Sequence, residues 1–352
     1  MRPIAPCIAL IGLVACATAG SAATSPMWSF EQSSMFPAAK GLMRPEDGLA
    51  LRDGRIVVAD QEHGLRVIAA DQSTRPFGRF AAAGYVHQPP AQTAGPNGVS
   101  LEPDGVHALV ADVFTGAIYR VNLETEATEQ IYTHEFGVNT AVSDSTGAIW
   151  FTQSTRNRSG PDSVARLFET FDKYSADGAL YRIPPPSPDG GKALAKRVLA
   201  GLMFANGIVI DEAHSQLYLA QTMSDTITAY RLAVKSGELS EPQVVATVSG
   251  PDNVELDEQG RLWVASPVQN SIYVIEPRTG ATTTVFRVRT AASERTVAEW
   301  SRRKARREPL LDLFAPDMWT PLPGGATGVI LTPGGGSVYV SGLGDALVKL
   351  DR

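Results

Sequence analysis

Hydrophobic and polar positions along this chain fall in short β-like runs, and the runs recur as a unit. A turn with Asn or Asp opens the unit; a short alternating apolar stretch, an Asp/Gly turn and a β-rich run follow. The six copies open at Pro45-Glu46-Asp47-Gly48-Leu49, Pro96-Asn97-Gly98-Val99, Val138-Asn139-Thr140-Ala141, Ala205-Asn206-Gly207-Ile208, Pro251-Asp252-Asn253-Val254 and Ala326-Thr327-Gly328-Val329. They lead to apolar runs at 54–59, 107–111, 147–151, 216–220, 260–264 and 336–340. Short alternating strands split by Gly, Asp and Pro turns predict an all-β protein built from meanders. Six copies about 45 residues apart predict a six-bladed β-propeller, with four-stranded blades around a central channel. In such a ring, equivalent positions of every blade face the axis at one height, so the leading polar residues would converge on one point.

Two intervals between copies are longer than the rest. Residues 155–176 contain Ser163-Val164-Ala165-Arg166-Leu167-Phe168-Glu169-Thr170-Phe171, which predicts a helical turn or two. Residues 291–313 carry Arg302, Arg303, Lys304, Arg306 and Arg307 on a second predicted helix. Long insertions in a compact repeat protein are covers over a site or disposable loops. The basic run reads as a solvated face, with an anionic membrane surface or partner as its alternative.

Composition narrows the class of protein. With 43% apolar and 19% charged residues, the 352-residue chain has the make-up of an ordinary globular protein. A net charge of -6 argues against the basic face that nucleic acid requires. The N-terminus runs from Arg2 through an apolar stretch at 8–15 to Ala17, Ala19, Ser21, Ala22 and Ala23. That order is expected of a secretory signal peptide over 1–23, followed by one propeller domain over 30–352 and export to the periplasm or beyond the cell. The apolar stretch is too short for a mature membrane-spanning helix, and no second candidate follows. Leu13-Val14-Ala15-Cys16 also reads as a lipoprotein signal, in which acylated Cys16 would anchor the chain to a membrane; a buried N-terminal strand is the alternative. Both cysteines, Cys7 and Cys16, lie in this segment. The mature domain would then have no disulfide, thiolate nucleophile or cysteine-bound zinc.

Candidate chemistry lies in the recurring slot. Glu46, Asn139, Asn206, Asp252 and Asn253 supply two carboxylates and three amides, the oxygen ligands that a hard cation takes. Without His or Cys, such a set favours calcium, magnesium or manganese over copper, with zinc less favoured. Singly, each Asn or Asp also suits a tight turn; their recurrence in one slot is what points to a ligand set. The sequence has no Gly-x-Ser-x-Gly elbow and no Walker loop, and Gly334-Gly335-Gly336 reads as a hairpin turn.

From about Met43 onward the chain resembles the six-bladed propeller superfamily of senescence marker protein-30, gluconolactonase, paraoxonase and strictosidine synthase-like proteins. The resemblance rests on Phe204-Ala205-Asn206-Gly207-Ile208, Val138-Asn139 and Asp252-Asn253-Val254 followed by Leu262-Trp263-Val264. A likeness to paraoxonases implies a catalytic calcium on Glu46, Asn139, Asn206, Asp252 and Asn253. The gluconolactonase branch implies a smaller set, Glu46, Asn206 and Asp252, with Asn139 near the substrate. This chain has Asn97 where the paraoxonase branch carries a His of its proposed base. His134, five residues before Asn139, is the other candidate base, and Asp252 is preferred. The implied reaction is metal-assisted hydrolysis of a small-molecule lactone or aryl ester. Asn97 and Asn139 would orient the substrate, and Tyr85 or Trp319 would line an apolar wall. Strictosidine synthase-like condensation, isomerisation and ligand binding without catalysis are alternatives on the same scaffold.

Overall fold

A computed structural model describes residues 28–186 and 193–351. The expected signal peptide, with Cys7 and Cys16, lies outside the described residues. Six four-stranded antiparallel sheets form a ring, the six-bladed propeller that the repeats predict. Blades 1 to 5 span 48–77, 96–133, 141–202, 205–247 and 254–287. Blade 6 combines strands from 326–350 with the early strand Ser33–Phe36, which pairs antiparallel with Leu347–Leu350.

In one respect the strands differ from the alternation expected of them. The second strands of four blades, Ile56–Asp60, Ile149–Gln153, Leu262–Ser266 and Val338–Gly342, are buried at every position. A blade packs against a neighbour on both faces, so its second strand reads as a continuous apolar run. One apolar cluster fills each of the six seams between blades. Val57, Leu65 and Phe77 of blade 1, for example, meet Val99, Val110 and Tyr119 of blade 2. Buried tryptophans need a partner for the indole N–H. Trp150 donates to Asp144 and Trp263 to Asp257, each at 2.9 Å and six residues apart, so blades 3 and 5 share one internal staple.

Both long intervals fold as helices over one end of the ring. Helix α1 (Ser163–Lys173) and helix α2 (Ala291–Arg306) are the only α-helices among the described residues. A reciprocal cap opens α2: Thr290 Oγ1 accepts from the Ser293 N–H at 3.1 Å, and Ser293 Oγ accepts from the Thr290 N–H at 2.9 Å. Leu167 and Phe171 of α1, Trp300 of α2 and Leu310 and Leu313 beyond it share a seventh apolar cluster with Val113, Phe204 and Val268 from the blades. Asp172 stitches the two insertions by accepting from the backbone N–H groups of Leu310 and Leu311, both at 2.7 Å. The basic run of α2 is consumed internally. Arg302 pairs with Glu299 and Glu308, Arg303 with Glu299 and Asp312, and Lys304 with Asp225. Arg307 lies over the Tyr174 ring. No helix among the described residues is long and apolar enough to cross a membrane.

Candidate functional site

The start of each inner strand carries a polar residue followed, in four blades, by glycine, and the structure shows why. At Gly207 a Cβ would stand 2.6 Å from Val254 N, 2.7 Å from Asn253 Cα and 2.9 Å from Asp252 O. At Gly98 it would stand 2.8 Å from Thr140 Cα and 3.0 Å from Asn139 O. Only a residue without a side chain lets one blade's loop press on the next. The loops are wired in sequence: Gly98 N donates to Asn139 O at 2.9 Å, Thr152 Oγ1 to Asn206 O at 2.8 Å, and Asn253 N to Thr327 O at 3.0 Å. Thr327 Oγ1 and Ser341 Oγ close the circuit by donating to Glu46 O, each at 2.9 Å. The polar slot is therefore held by backbone packing.

These residues floor a cavity of about 300 Å³ beneath α1 and the stretch that follows α2. Glu46, Asn97, Asn139, Asn206 and Asp252 line it, from blades 1, 2, 3, 4 and 5 respectively. Asn253 is not on the lining; it stands behind Glu46, with its Nδ2 donating to the two carboxylate oxygens at 3.2 and 3.3 Å. Thr140 Oγ1 links the set, 3.1 Å from Asn139 Oδ1 and 3.3 Å from Asn253 Oδ1. The roof is apolar, with Leu167, Phe168 and Phe171 from α1 and Leu311, Phe314 and Trp319 from the stretch that follows α2. Trp319 thus joins the wall as expected, stacked on Phe314. Tyr85 does not: its ring packs in the seam between blades 1 and 2, and its hydroxyl donates to Gln61 O at 2.6 Å.

Burial pushes the Glu46 carboxyl up to about 7, opposed by the charge of Arg44 and by amides of Asn253 and Asn97. Burial also raises Asp252 well above the usual carboxylate range, and the neighbouring charge of Glu46 raises it further. Two carboxyls in one desolvated floor resist joint ionisation, and a cation between them removes that penalty. One further atom fits the same need. Asn206 Nδ2 donates to Thr222 Oγ1 at 3.0 Å, which fixes the amide, while the buried Asn206 Oδ1 has no hydrogen-bond partner. Two carboxylates and one unspent amide oxygen suit a hard cation. Among the described residues no group of three or more His, Cys, Asp or Glu side chains is placed to hold a metal, so any ion here depends on the amides.

The structure does not bring His134 to this cavity. It follows the outermost strand of blade 2, Thr128–Thr133, and its ring packs 4.5 Å from Tyr181 and 5.1 Å from Phe151. Its Nε2 lies 3.0 Å from Gln153 Oε1, an arrangement that places the ring proton on Nε2. Five residues of extended chain carry the backbone from the blade's edge to its axis, which is why closeness in sequence to Asn139 is no guide to closeness in space.

Three residues escape the sequence reading. Arg44 lines the cavity beside Glu46, with Nη1 donating to Pro96 O at 3.0 Å and Nη2 to Asn97 Oδ1 at 2.9 Å. It precedes the first repeat, so no period marks it. Thr222 follows a second strand and not an inner one. Thr327 occupies the sixth copy of the polar slot, and that position was its one available signal.

Residues 127–297 match the family described as the SMP-30/Gluconolactonase/LRE-like region. Protein strictosidine synthase-like 13 of Arabidopsis thaliana is 28% identical over 176 residues, covering 48% of this chain. That match spans 41% of the relative's own length. Among solved structures, a gluconolactonase from Xanthomonas campestris superposes with a TM-score of 0.59 at 18% identity, covering 89% of this chain and 87% of that one. Regucalcin from Agrobacterium tumefaciens, described as a calcium-binding protein, gives 0.58 at 13% identity, covering 93% and 95%. A luciferin-regenerating enzyme gives 0.55 at 13%, covering 91% and 95%. At these identities the structures share the fold. The two sequence matches, each over about half of the chain, make it similar to the SMP-30/gluconolactonase-like and strictosidine synthase-like proteins, and the superposed structures share its six-bladed fold.

Proposed function

We propose that this propeller is a hydrolase of a lactone or ester, dependent on one divalent cation of calcium type, with magnesium, manganese or zinc as alternatives. The observation that carries the reading is the convergence of Glu46, Asp252 and the unpartnered Asn206 Oδ1 from three blades on one roofed cavity. Glu46, Asn139, Asn206 and Asp252 would hold the ion, with Asn253 bracing Glu46 from behind. When bound, the ion would supply Lewis-acid polarisation of a substrate carbonyl. Asp252 would take the proton of the attacking water from its place in the cavity floor. Asn97, fixed by Arg44, and Asn139 orient the substrate's polar end. The roof of α1 and the stretch that follows α2 receives its apolar part and excludes bulk water.

The test is hydrolysis of a panel of lactones and aryl esters before and after EDTA. Turnover should vanish on chelation and return with calcium, and calcium should raise the melting temperature; at one hundred times Kd a bound ion stabilises by about 2.7 kcal/mol. Glu46→Gln and Asp252→Asn should lose both effects while folding normally. Activity indifferent to exhaustive chelation would reject the reading. The match to a strictosidine synthase-like protein favours a second reading, condensation or isomerisation, which product analysis by mass spectrometry separates. Saturable binding with no turnover on any substrate would instead point to a ligand-binding propeller. The proposal includes export, carried by the residues around Arg2, the apolar stretch 8–15 and the small residues to Ala23.

A further inference from the structure

Among the described residues Arg44 is the one Lys or Arg on the cavity lining, and the carboxyls of Glu46 and Asp252 feel its charge without forming an ion pair with it. Among the described residues Arg44 forms no salt bridge within 4.0 Å, whereas the arginines of α2 at 302, 303 and 306 are each paired. A guanidinium has five N–H donors. Arg44 spends two of them, on Pro96 O and Asn97 Oδ1, and stands 5.5 Å from the Phe114 ring centre. Its remaining donors belong to a group that lines the cavity and is held in place on two sides.

We propose that Arg44 is a specificity-determining residue that receives the carboxylate of an apolar ligand whose body lies under Phe168, Phe171, Phe314 and Trp319. The proposal rests on the preceding reading only in taking this cavity as the substrate site. Planar guanidinium matches planar carboxylate in a paired hydrogen bond that a neutral amide cannot copy. The carboxylate is either a second acidic group on the substrate or the acid that ester hydrolysis releases.

Binding of 4-phenylbutyrate and of its neutral analogue 4-phenylbutyramide, followed by tryptophan fluorescence in calcium chloride, tests this without requiring turnover. The wild type should bind the carboxylate at least tenfold more tightly, a factor equivalent to about 1.4 kcal/mol. Arg44→Met should lose the preference for the carboxylate over the amide, whatever its affinity for the amide, and Arg44→Lys should restore part of that ratio. Equal affinities in the wild type would overturn the proposal even if no variant folds. A preference that survives in Arg44→Met would assign it to the ion and overturn it equally. To separate the two sources of carboxylate, the 4-nitrophenyl monoester of adipic acid is compared with neutral 4-nitrophenyl hexanoate. An Arg44-dependent drop in KM for the former marks a substrate carboxylate; equal KM values, with 4-phenylbutyrate acting as a competitive inhibitor, mark the product acid. A failure of the hydrolase reading would leave the binding arm intact, so the two can fail separately.

Discussion

One carboxylate fastens the roof to the ring. Asp225, at the turn before the third strand of blade 4, accepts from Trp300 Nε1 at 3.1 Å and from Gly250 N at 2.8 Å, and its other oxygen lies 2.5 Å from Lys304 Nζ. The two side chains are only 22% and 15% exposed, and the ammonium also faces the Trp300 ring at 5.0 Å. Asp225→Asn keeps an acceptor for Trp300 and removes the charge. At an effective dielectric of about 20, a close pair is worth about 4 kcal/mol, and relief of the carboxylate's own desolvation returns roughly half, leaving a loss of about 2 kcal/mol. Burial already holds the Lys304 amine below its ordinary value of 10.5, and Asp225 opposes that shift. Without Asp225 the native state favours the neutral amine more strongly, so the deficit is fullest at pH 7 and shrinks as pH rises toward the unfolded value. Urea unfolding at pH 7 and 9.5, read by tryptophan fluorescence, measures both effects, and a loosened roof should raise KM for apolar esters. A variant within about 0.5 kcal/mol of wild type at pH 7, the range of neutral surface changes, would refute the reasoning. So would a deficit that does not change with pH.

Other expectations follow from the same contacts. Gly207→Ala drives a Cβ into the backbone of Asp252 and Asn253 and should lower kcat/KM by at least about tenfold, since small misplacements of reacting groups cost that much; a fully active variant would show that these loops are not held by close packing. Burial lowers the His134 pKa below 6.5, so the unfolded chain binds the extra proton first and stability falls as pH drops below 6.5. His134→Phe should remove that part of the acid slope, at a cost of about 1 kcal/mol at pH 7.5 from the bond to Gln153, with kcat unchanged. If Cys16 carries a lipid, Cys16→Ser should move the protein from the membrane fraction to the soluble fraction; an identical distribution would remove the anchor from the account.

The ring was legible because each blade repeats the same turn-and-strand phrase, and the blade count follows from counting phrases. Axis residues such as Glu46, Asn206 and Asp252 were legible for the same reason, since a repeated position in sequence becomes a repeated height around the channel. Arg44 lies outside the period, and only its packing against Pro96 and Asn97 reveals it. His134 shows the converse limit: it is near a site residue along the chain, yet a strand end at the blade's rim and a loop at the axis are remote in space. Helical character in both insertions was readable, but their joint roof was not, because Asp172 and Phe171 of one meet Leu310 and Phe314 of the other across more than a hundred residues.

Ring closure depends on the earliest described strand. Ser33–Phe36 completes blade 6 against Leu347–Leu350, and the Trp28 indole donates to Asp351 O at 2.8 Å. Ser33–Phe36 has no strand to pair with until residues 347–350 are in place, so the circle is welded by two segments more than three hundred residues apart, and loss of either would open blade 6.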